Sequence, residues 1–247
     1  MTFVKCESIK KYFRSKAGIV RALDGVSLNI ERGESFGLVG ESGCGKTTLG
    51  KIILGILKPD SGRVLLETDR LQVIFQDPYN SLDPKMKIFD ILAEGLMIRR
   101  ASCVVRCADE IKKQVEEILD LIKLPLSSLK KYPHQFSGGE RQRIAIGRAV
   151  ITNPEFIVCD EPVSNLDVTI QLRILNLLKD IRERFNMTYL FISHDLKVIK
   201  YVCGKVAIMK AGRIVEEGST QQIYSNPANP YTRNLISSAL TKSIVIF

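Results

Sequence analysis

Gly40, Gly43, Gly45, Lys46 and Thr47 stand in the spacing G-x-x-x-x-G-K-T. That is the pattern of a phosphate-binding loop. The glycines allow backbone angles and close approach that a Cβ would block. Lys46 is a point charge for the β- and γ-phosphates, and the Thr47 hydroxyl is a ligand for Mg²⁺. Glu41, Ser42, Cys44 and Thr48 complete the loop. Its backbone N–H groups and the positive end of a helix dipole converge on one spot, which a triphosphate fits. Residues 35–39 read as a short buried strand before the loop, and residues 49–57 as an apolar helix after it. A chance glycine-rich turn would not carry both flanks.

Carboxylates follow at a second place. The apolar run 156–159 ends in Asp160 and Glu161. Acids at a strand end are common surface features. Beside a phosphate loop, however, a carboxylate pair there is where the Mg²⁺ ligand belongs. Asp160 is expected to hold Mg²⁺ through water, and Glu161 to polarise the attacking water. His194, one of two histidines, closes another apolar run, residues 188–192. A histidine at a strand end is more often structural, but its place beside the same crevice points to a γ-phosphate contact. Ser137, Gly138, Gly139 and Glu140 open a helix. Ser137 and Glu140 form a capping box, which leaves the two glycines unexplained, since each weakens a helix start by up to ~1 kcal/mol. Glycines at a helix start make room for a close anion. Tyr12 and Phe13 lie upstream of the loop, and either could stack on an adenine for about 1–3 kcal/mol. A core aromatic on an edge strand is the plainer alternative.

Elements must position these groups. The 247 residues suffice for one large α/β domain or two small ones. Residues 3–6 and 28–30 read as strands around a basic stretch, 10–21. Residues 59–62 read as a turn, and 71–75 as a strand ending in the polar loop of Gln76, Asp77 and Pro78. Pro78 and Pro84 argue against an immediate regular continuation. Residues from about 87 to 150 read as helical, with Ile111, Val115, Ile118, Leu119 and Ile122 on one apolar face. Residues 124–135 break that pattern, and the whole reads as a helical subdomain inserted between strands. Ile170, Ile174, Leu177, Leu178, Ile181 and Phe185 mark the buried stripe of a long helix. Residues 206–209 and 213–215, joined at Ala211 and Gly212, read as a hairpin before a turn-rich tail.

Composition bounds the class. No apolar run approaches the ~18–20 residues of a membrane span, and the charged residues 1–11 are unlike a signal peptide. A cytosolic protein that does not itself cross a membrane is expected. The net charge of +9 is compatible with nucleic acid, an anionic membrane face or a merely solvated basic surface. The six cysteines include Cys44 in the loop, Cys159 in a strand, and Cys103 and Cys107 one helical turn apart. Without a C-x-x-C pair they read as reduced, mostly packed thiols.

These pieces, in this order, resemble the nucleotide-binding subunit of an ABC transporter over essentially the whole chain. Gly40 to Thr47 resembles Walker A, Gln76 the Q-loop glutamine, and the run from Phe136 to Gln142 the ABC signature. Cys159, Asp160 and Glu161 end Walker B, residues 164–167 are similar to the D-loop, and His194 to the switch histidine. Within the family the likeness is to oligopeptide, dipeptide and nickel importers. It is carried by Phe75, Gln76, Asp77 and Pro78 with Ser81 to Pro84, and by Asn226, Pro227 and Pro230 to Arg233. Three departures stand out: Glu140 where the family often has Gln, Asn165 where Ala is usual, and a short segment 63–70 that trims the antiparallel β-subdomain. The tail also lacks a cysteine-rich region, so an iron–sulfur cluster is not expected.

The resemblance implies an α/β fold of the P-loop NTPase type. A RecA-like core sheet would carry a small antiparallel β-subdomain and an inserted α-helical subdomain at about residues 80–150. The cassette would span residues 1–225 and a short tail residues 226–247. It implies an ATPase coupled to transmembrane transport, with ATP and Mg²⁺ as cofactors. Two cassettes would pair head to tail, so that Ser137, Gly138 and Gly139 meet the γ-phosphate held by the partner's Walker A lysine. Glu161 would be the general base, with His194 and Gln76 ordering phosphate and water, Gln76 also near the metal with Thr47 and Asp160, and Phe13 at the adenine. The partners would be a second cassette (a related chain or a second copy), two permease subunits and, indirectly, a solute-binding protein, at the cytoplasmic face of the cell membrane and without nucleic acid. The rival readings are a soluble ABC ATPase acting on nucleic acid or ribosomes, and a phosphoryl-transfer kinase. The first is disfavoured by a single cassette without sustained heptads, the second by the unexplained Ser137, Gly138 and Gly139.

Overall fold

The computed structural model describes residues 2–15, 18–100 and 108–241. It opens with a long antiparallel hairpin, β1 (Thr2–Ser15) and β2 (Gly18–Glu31). β3 (Ser35–Val39) runs into the phosphate loop and α1 (Lys46–Ile53). β4 (Ser61–Leu66) returns to pair with β1, giving a three-stranded antiparallel sheet of order β2-β1-β4. After β5 (Leu71–Ile74) come α2 (Pro78–Ser81), α3 (Ile88–Arg100), α4 (Ala108–Leu121) and α5 (Gly138–Val150). Short 3-10 turns at Leu126–Lys130 and Pro133–Gln135 separate the last two. β6 (Phe156–Asp160), α6 (Val168–Phe185), β7 (Thr188–Ser193), α7 (Leu196–Val202), β8 (Lys205–Lys210) and β9 (Arg213–Ser219) follow. The chain ends in α8 (Thr220–Ser225) and α9 (Pro230–Thr241).

The short apolar runs form a six-stranded sheet of order β5-β6-β7-β3-β8-β9, parallel except for the β9 edge. A strand that is apolar on both faces needs cover on both, and successive side chains point to opposite sides. Ile157, Cys159, Tyr189 and Phe191 accordingly join one core, with α3, α4, α5, α6 and α7. Phe156, Val158, Leu190 and Ile192 join a second core, with α1 and the antiparallel sheet. The phosphate loop is thus wedged between a rigid parallel sheet and a β-layer packed beneath it.

The structure corrects several expectations. The basic stretch 10–21 is mostly strand: Lys11, Tyr12, Phe13 and Arg14 of β1 pair across the hairpin with Leu23, Arg21, Val20 and Ile19 of β2, so cross-strand pairing and not charge decides the form. Ser61 and Gly62 of the expected turn already belong to β4. Pro78 does not stop regular structure. It sits at the first position of α2, capped by Asp77, where the missing N–H costs nothing. Phe185 is 38% exposed at the end of α6, outside the buried stripe of Ile174, Leu175, Leu177, Leu178 and Ile181. Cys103 and Cys107 lie outside the described residues; Cys6, Cys44, Cys159 and Cys203 are buried free thiols.

Candidate functional site

Gln76 follows β5, Asp160 ends β6, His194 follows β7 and the phosphate loop follows β3, on four strands adjacent in that order. All these residues therefore stand at the carboxyl ends of parallel strands, where α/β sheets open a ligand crevice. The phosphate loop is shaped from below. Gly45 caps α1 at φ +109°, and a Cβ on it would fall 2.2 Å from the Ala22 carbonyl oxygen. A Cβ on Gly40 would meet the Met209 carbonyl oxygen at 2.2 Å. The backbones of β2 and β8 thus dictate glycine at both ends of the loop. Glu41 and Ser42 are exposed, Cys44 is buried and Thr48 half-buried.

Lys46 is 5% exposed. Its Nζ donates to the carbonyls of Gly40 at 2.7 Å and Glu41 at 2.9 Å and lies 3.8 Å from Cys44 Sγ. The ammonium is held inside the ring of the loop. Thr47 Oγ1 donates to Asp160 Oδ1 at 3.1 Å, joining the loop to β6. Burial pushes the Asp160 carboxyl above its ordinary value, the Thr47 hydroxyl opposes the shift and the neighbouring Glu161 charge adds to it. A carboxylate partly out of water beside another is short of a cation. Thr47, Gln76 and Asp160 line one cleft of about 580 Å³ with Lys51 and Arg148. This hard, all-oxygen donor set suits Mg²⁺, which binds few protein ligands and keeps waters and substrate phosphates for the rest. Among the described residues no cluster of three or more His, Cys, Asp or Glu forms a self-contained metal centre.

Glu161 sits at φ +49°, the left-handed region rare for a side chain larger than glycine. Its N–H extends the β6–β7 ladder to the Ile192 carbonyl at 2.9 Å, and its carbonyl accepts from the Ser164 N–H at 3.3 Å. Its Oε1 lies 3.0 Å from His194 Nδ1. The carboxylate is thus aimed by two strands and held by the histidine.

Ser137 and Glu140 lie elsewhere. The Ser137 N–H and hydroxyl donate to Glu140 Oε2 at 2.9 and 2.8 Å, and the Glu140 N–H returns to Ser137 Oγ at 3.4 Å. Those bonds hold the Glu140 carboxyl below its usual value. Gly139 has a packing reason, since a Cβ there would meet Ile170 Cγ2 of α6 at 2.5 Å, whereas Gly138 has none, with its nearest atom, Leu166 Cδ2, at 3.6 Å. Ser137, Gly139 and Glu140 line a separate cavity of about 410 Å³ with Arg143 and Arg173. None of Thr47, Gln76 and Asp160 reaches it.

Of the two aromatics, Tyr12 is engaged: its hydroxyl donates to Asp24 Oδ1 at 2.9 Å, and Arg213 clamps the same carboxylate at 2.7 Å. Phe13 is 40% exposed, opposite Val20 on the hairpin. Sequence reasoning passed over Arg148, which lines the cleft from α5 and is itself pushed below its ordinary pKa by burial. Its signal is a lone cation in the buried run from Ile144 to Val150. Asp167, read with the D-loop, caps α6 by accepting from the Ile170 N–H at 3.0 Å.

Comparison with known proteins adds independent weight. The sequence profile of the ABC transporter family matches residues 23–164. The oligopeptide transport ATP-binding protein OppF of Bacillus subtilis is 41% identical over 95% of this chain and 81% of its own length. OppF of Streptococcus mutans is 43% identical over 91% of this chain and 77% of its own. Among solved structures, the dimeric post-hydrolysis state of the ATP-binding cassette MJ0796, bound to ADP and Pi, superposes with a TM-score of 0.79 at 28% identity, covering 88% of this chain and 99% of that one. CbiO1 of Clostridium perfringens, part of the ABC transporter complex cbiONQ, does so with a TM-score of 0.79 at 26% identity over 99% of each chain.

Proposed function

The chain belongs to the ABC transporter family, and from that premise we propose that it is the ATP-binding and ATP-hydrolysing subunit of a peptide importer. The observation that carries the reading is the junction of Thr47 with Asp160 and of Glu161 with His194 at adjoining strand ends. The oligopeptide transport relatives support the cargo class. Action on nucleic acid or ribosomes gains no support from them.

In this reading ATP lies along the loop from Gly40 to Thr48, with its adenine against Phe13 and its phosphates over the N-terminus of α1. Lys46 leaves the loop carbonyls for the phosphates. Thr47 and Asp160, with Gln76 beside them, would hold Mg²⁺, which would supply neutralisation of charge on the phosphate oxygens. Glu161 takes a proton from a water placed in line with the γ-phosphorus. The oxygen–phosphorus bond forms as the bond to the β–γ bridging oxygen breaks, and ADP and phosphate leave. His194 fixes the Glu161 carboxylate, and Gln76 orients water from the loop after β5. Gly138, without a packing reason of its own, is surface for the γ-phosphate of a second cassette docked head to tail. Shared phosphate then closes the pair and hydrolysis releases it.

Among the described residues no helix is long and apolar enough to cross a membrane. Two permease chains and a solute-binding protein complete the importer, with this chain peripheral at the cytoplasmic face. Residues 1–225 form the cassette, with the helical insertion at about 80–150, and residues 226–247 its tail. The test is purification from native membranes, followed by reconstitution in vesicles with the accompanying chains. Peptide delivered by the binding protein is expected to stimulate ATP hydrolysis. Stimulation by nickel instead would move the chain to the nickel importers, and recovery with ribosomes or DNA and no permease would overturn the reading.

A further inference from the structure

His194 stands between two elements, β7 before it and α7 two residues after it. β7 lies inside the sheet and is paired on both sides, with β6 and with β3. α7 has only seven residues, and a helix that short does not stand by itself in water. Asp195 starts it, its side chain accepting from the Lys197 N–H at 2.8 Å. The rest of its placement must come from what grips it.

The grip comes from α8, after β9. Thr220, at the first position of α8, reaches the end of α7: its hydroxyl donates to the Cys203 carbonyl at 2.7 Å and its N–H to the Gly204 carbonyl at 2.9 Å. One turn later Tyr224 reaches the start of α7, where its hydroxyl donates to the Leu196 carbonyl, two residues after His194. The Lys200 ammonium of α7 lies over the Tyr224 ring, 5.6 Å from its centroid. Burial pushes the Tyr224 phenol above its ordinary value, so the hydroxyl keeps its proton and remains a donor.

The two ends of α7 are not equally secure. At its end the Gly204 N–H also donates to the Ser35 carbonyl of β3 at 3.2 Å, so the sheet holds that end without the Thr220 hydroxyl. At its start, among the described residues, the Tyr224 hydroxyl makes the one hydrogen bond that comes from another element. There is also room to shift there: His194, Asp195, Leu196 and Lys197 wall a cavity of about 440 Å³ together with Glu41, Leu235 and Ser238. His194 Nδ1 lies 3.0 Å from Glu161 Oε1. A drift of about 1 Å would take that pair out of hydrogen-bond range.

We propose that Tyr224 is a positioning residue for hydrolysis: its hydroxyl, through the Leu196 carbonyl, fixes the start of α7 and so holds His194 against Glu161. The proposal rests on the reading of Glu161 and His194 as parts of the hydrolytic site. It gives the segment after β9 a role in the rate of hydrolysis, separate from nucleotide affinity.

The experiment is steady-state ATP hydrolysis by the chain in its reconstituted transporter, with ATP binding to the full chain and thermal unfolding alongside. Tyr224→Phe keeps the ring under Lys200 and removes only the hydroxyl. It is expected to lower kcat about three- to ten-fold, the worth of one hydrogen bond, with the Kd and KM for ATP unchanged. His194→Ala is expected to lose more, and Tyr224→Phe to add nothing in that background. Thr220→Val removes the hydroxyl at the other end of α7. It is expected to lower the Tm while leaving kcat of the folded chain unchanged, which separates the placement of His194 from loosening of the α7–α8 pair in general. A parent kcat in Tyr224→Phe, losses that multiply in the double variant, or an equal fall of kcat in Thr220→Val would overturn the proposal. A parent that hydrolyses no ATP, or His194→Ala at the parent rate, would instead overturn the reading of the crevice on which it rests.

Discussion

At the strand ends, Thr47, Asp160, Glu161 and His194 come from three separate loops and bond to one another across them. On α5, Ser137 and Glu140 bond within a single helical turn, and a Cβ on Gly138 beside them would meet nothing closer than 3.6 Å. The first region converges from distant parts of the chain, as a reaction centre must. The second is locally complete and presents an open backbone outward. Gly139 is bare because Ile170 packs on it, but Gly138 is bare without such a reason, which suits a ligand that comes close, and the chain's own crevice lies along a different cavity wall. The contrast fits the proposed reading, in which each of two paired cassettes supplies a hydrolytic half and a bare lid for the other.

Substitutions on the two sides should therefore fail differently. Glu161→Gln should have the largest effect, cutting hydrolysis by about 10²–10⁴-fold, the usual worth of a general base, while ATP stays bound. Hydrolysis near the parent rate would remove Glu161 from that role. Gly138→Val adds bulk where the fold has room, so thermal unfolding should barely change. ATP binding to the isolated chain should survive as well, and only hydrolysis in the assembled pair should drop, by about 100-fold for a misplaced reacting group. Loss of ATP binding by the isolated chain would place Gly138 in its own site and collapse the contrast. Gly139→Ala sharpens it from the other direction. Its Cβ would lie 2.5 Å from Ile170, so it should destabilise the fold by roughly 1–3 kcal/mol, read as a lower Tm. An unchanged Tm would make Gly139 as functional as its neighbour.

The smallest effect belongs to the far end of the sheet. There Arg70 and Arg32 hold the Glu155 carboxyl below its ordinary value. Because folding lowers that pKa, the ion pairs stabilise the fold above the unfolded carboxyl's pKa of about 4.3. The contribution fades as pH falls through the lower folded value. Glu155→Gln should cost less than about 1 kcal/mol near neutrality, given its partly exposed partners, and should match the parent in strong acid. A gap that widened in acid would contradict this, and activity per folded molecule should not move.

Much of this was legible in the sequence for a physical reason. Residues 35–39, 156–160 and 188–193 are too short and too apolar to be anything but doubly covered strands, and each ends in residues whose chemistry needs an exposed strand end. The capping box of Ser137 and Glu140 is local and could be read locally. What escaped depends on distant partners. The hairpin over residues 10–21 hid behind its cations, and the packing reason for Gly139 lies on α6. Arg148 reaches the crevice from α5, and its one local signal is a lone cation in a buried run.

The central claim is that a serine–glycine element of one cassette completes the phosphate loop of another. The most direct test is the structure of the Glu161→Gln chain with ATP and Mg²⁺, assembled with the cassette it pairs with in its transporter. The account predicts two nucleotides between the cassettes, one along Gly40 to Thr48 and covered by the second cassette's serine–glycine turn, the other against Ser137 and Gly138. ATP covered only by residues of the chain whose loop holds it, with Ser137 and Gly138 facing solvent, would contradict it.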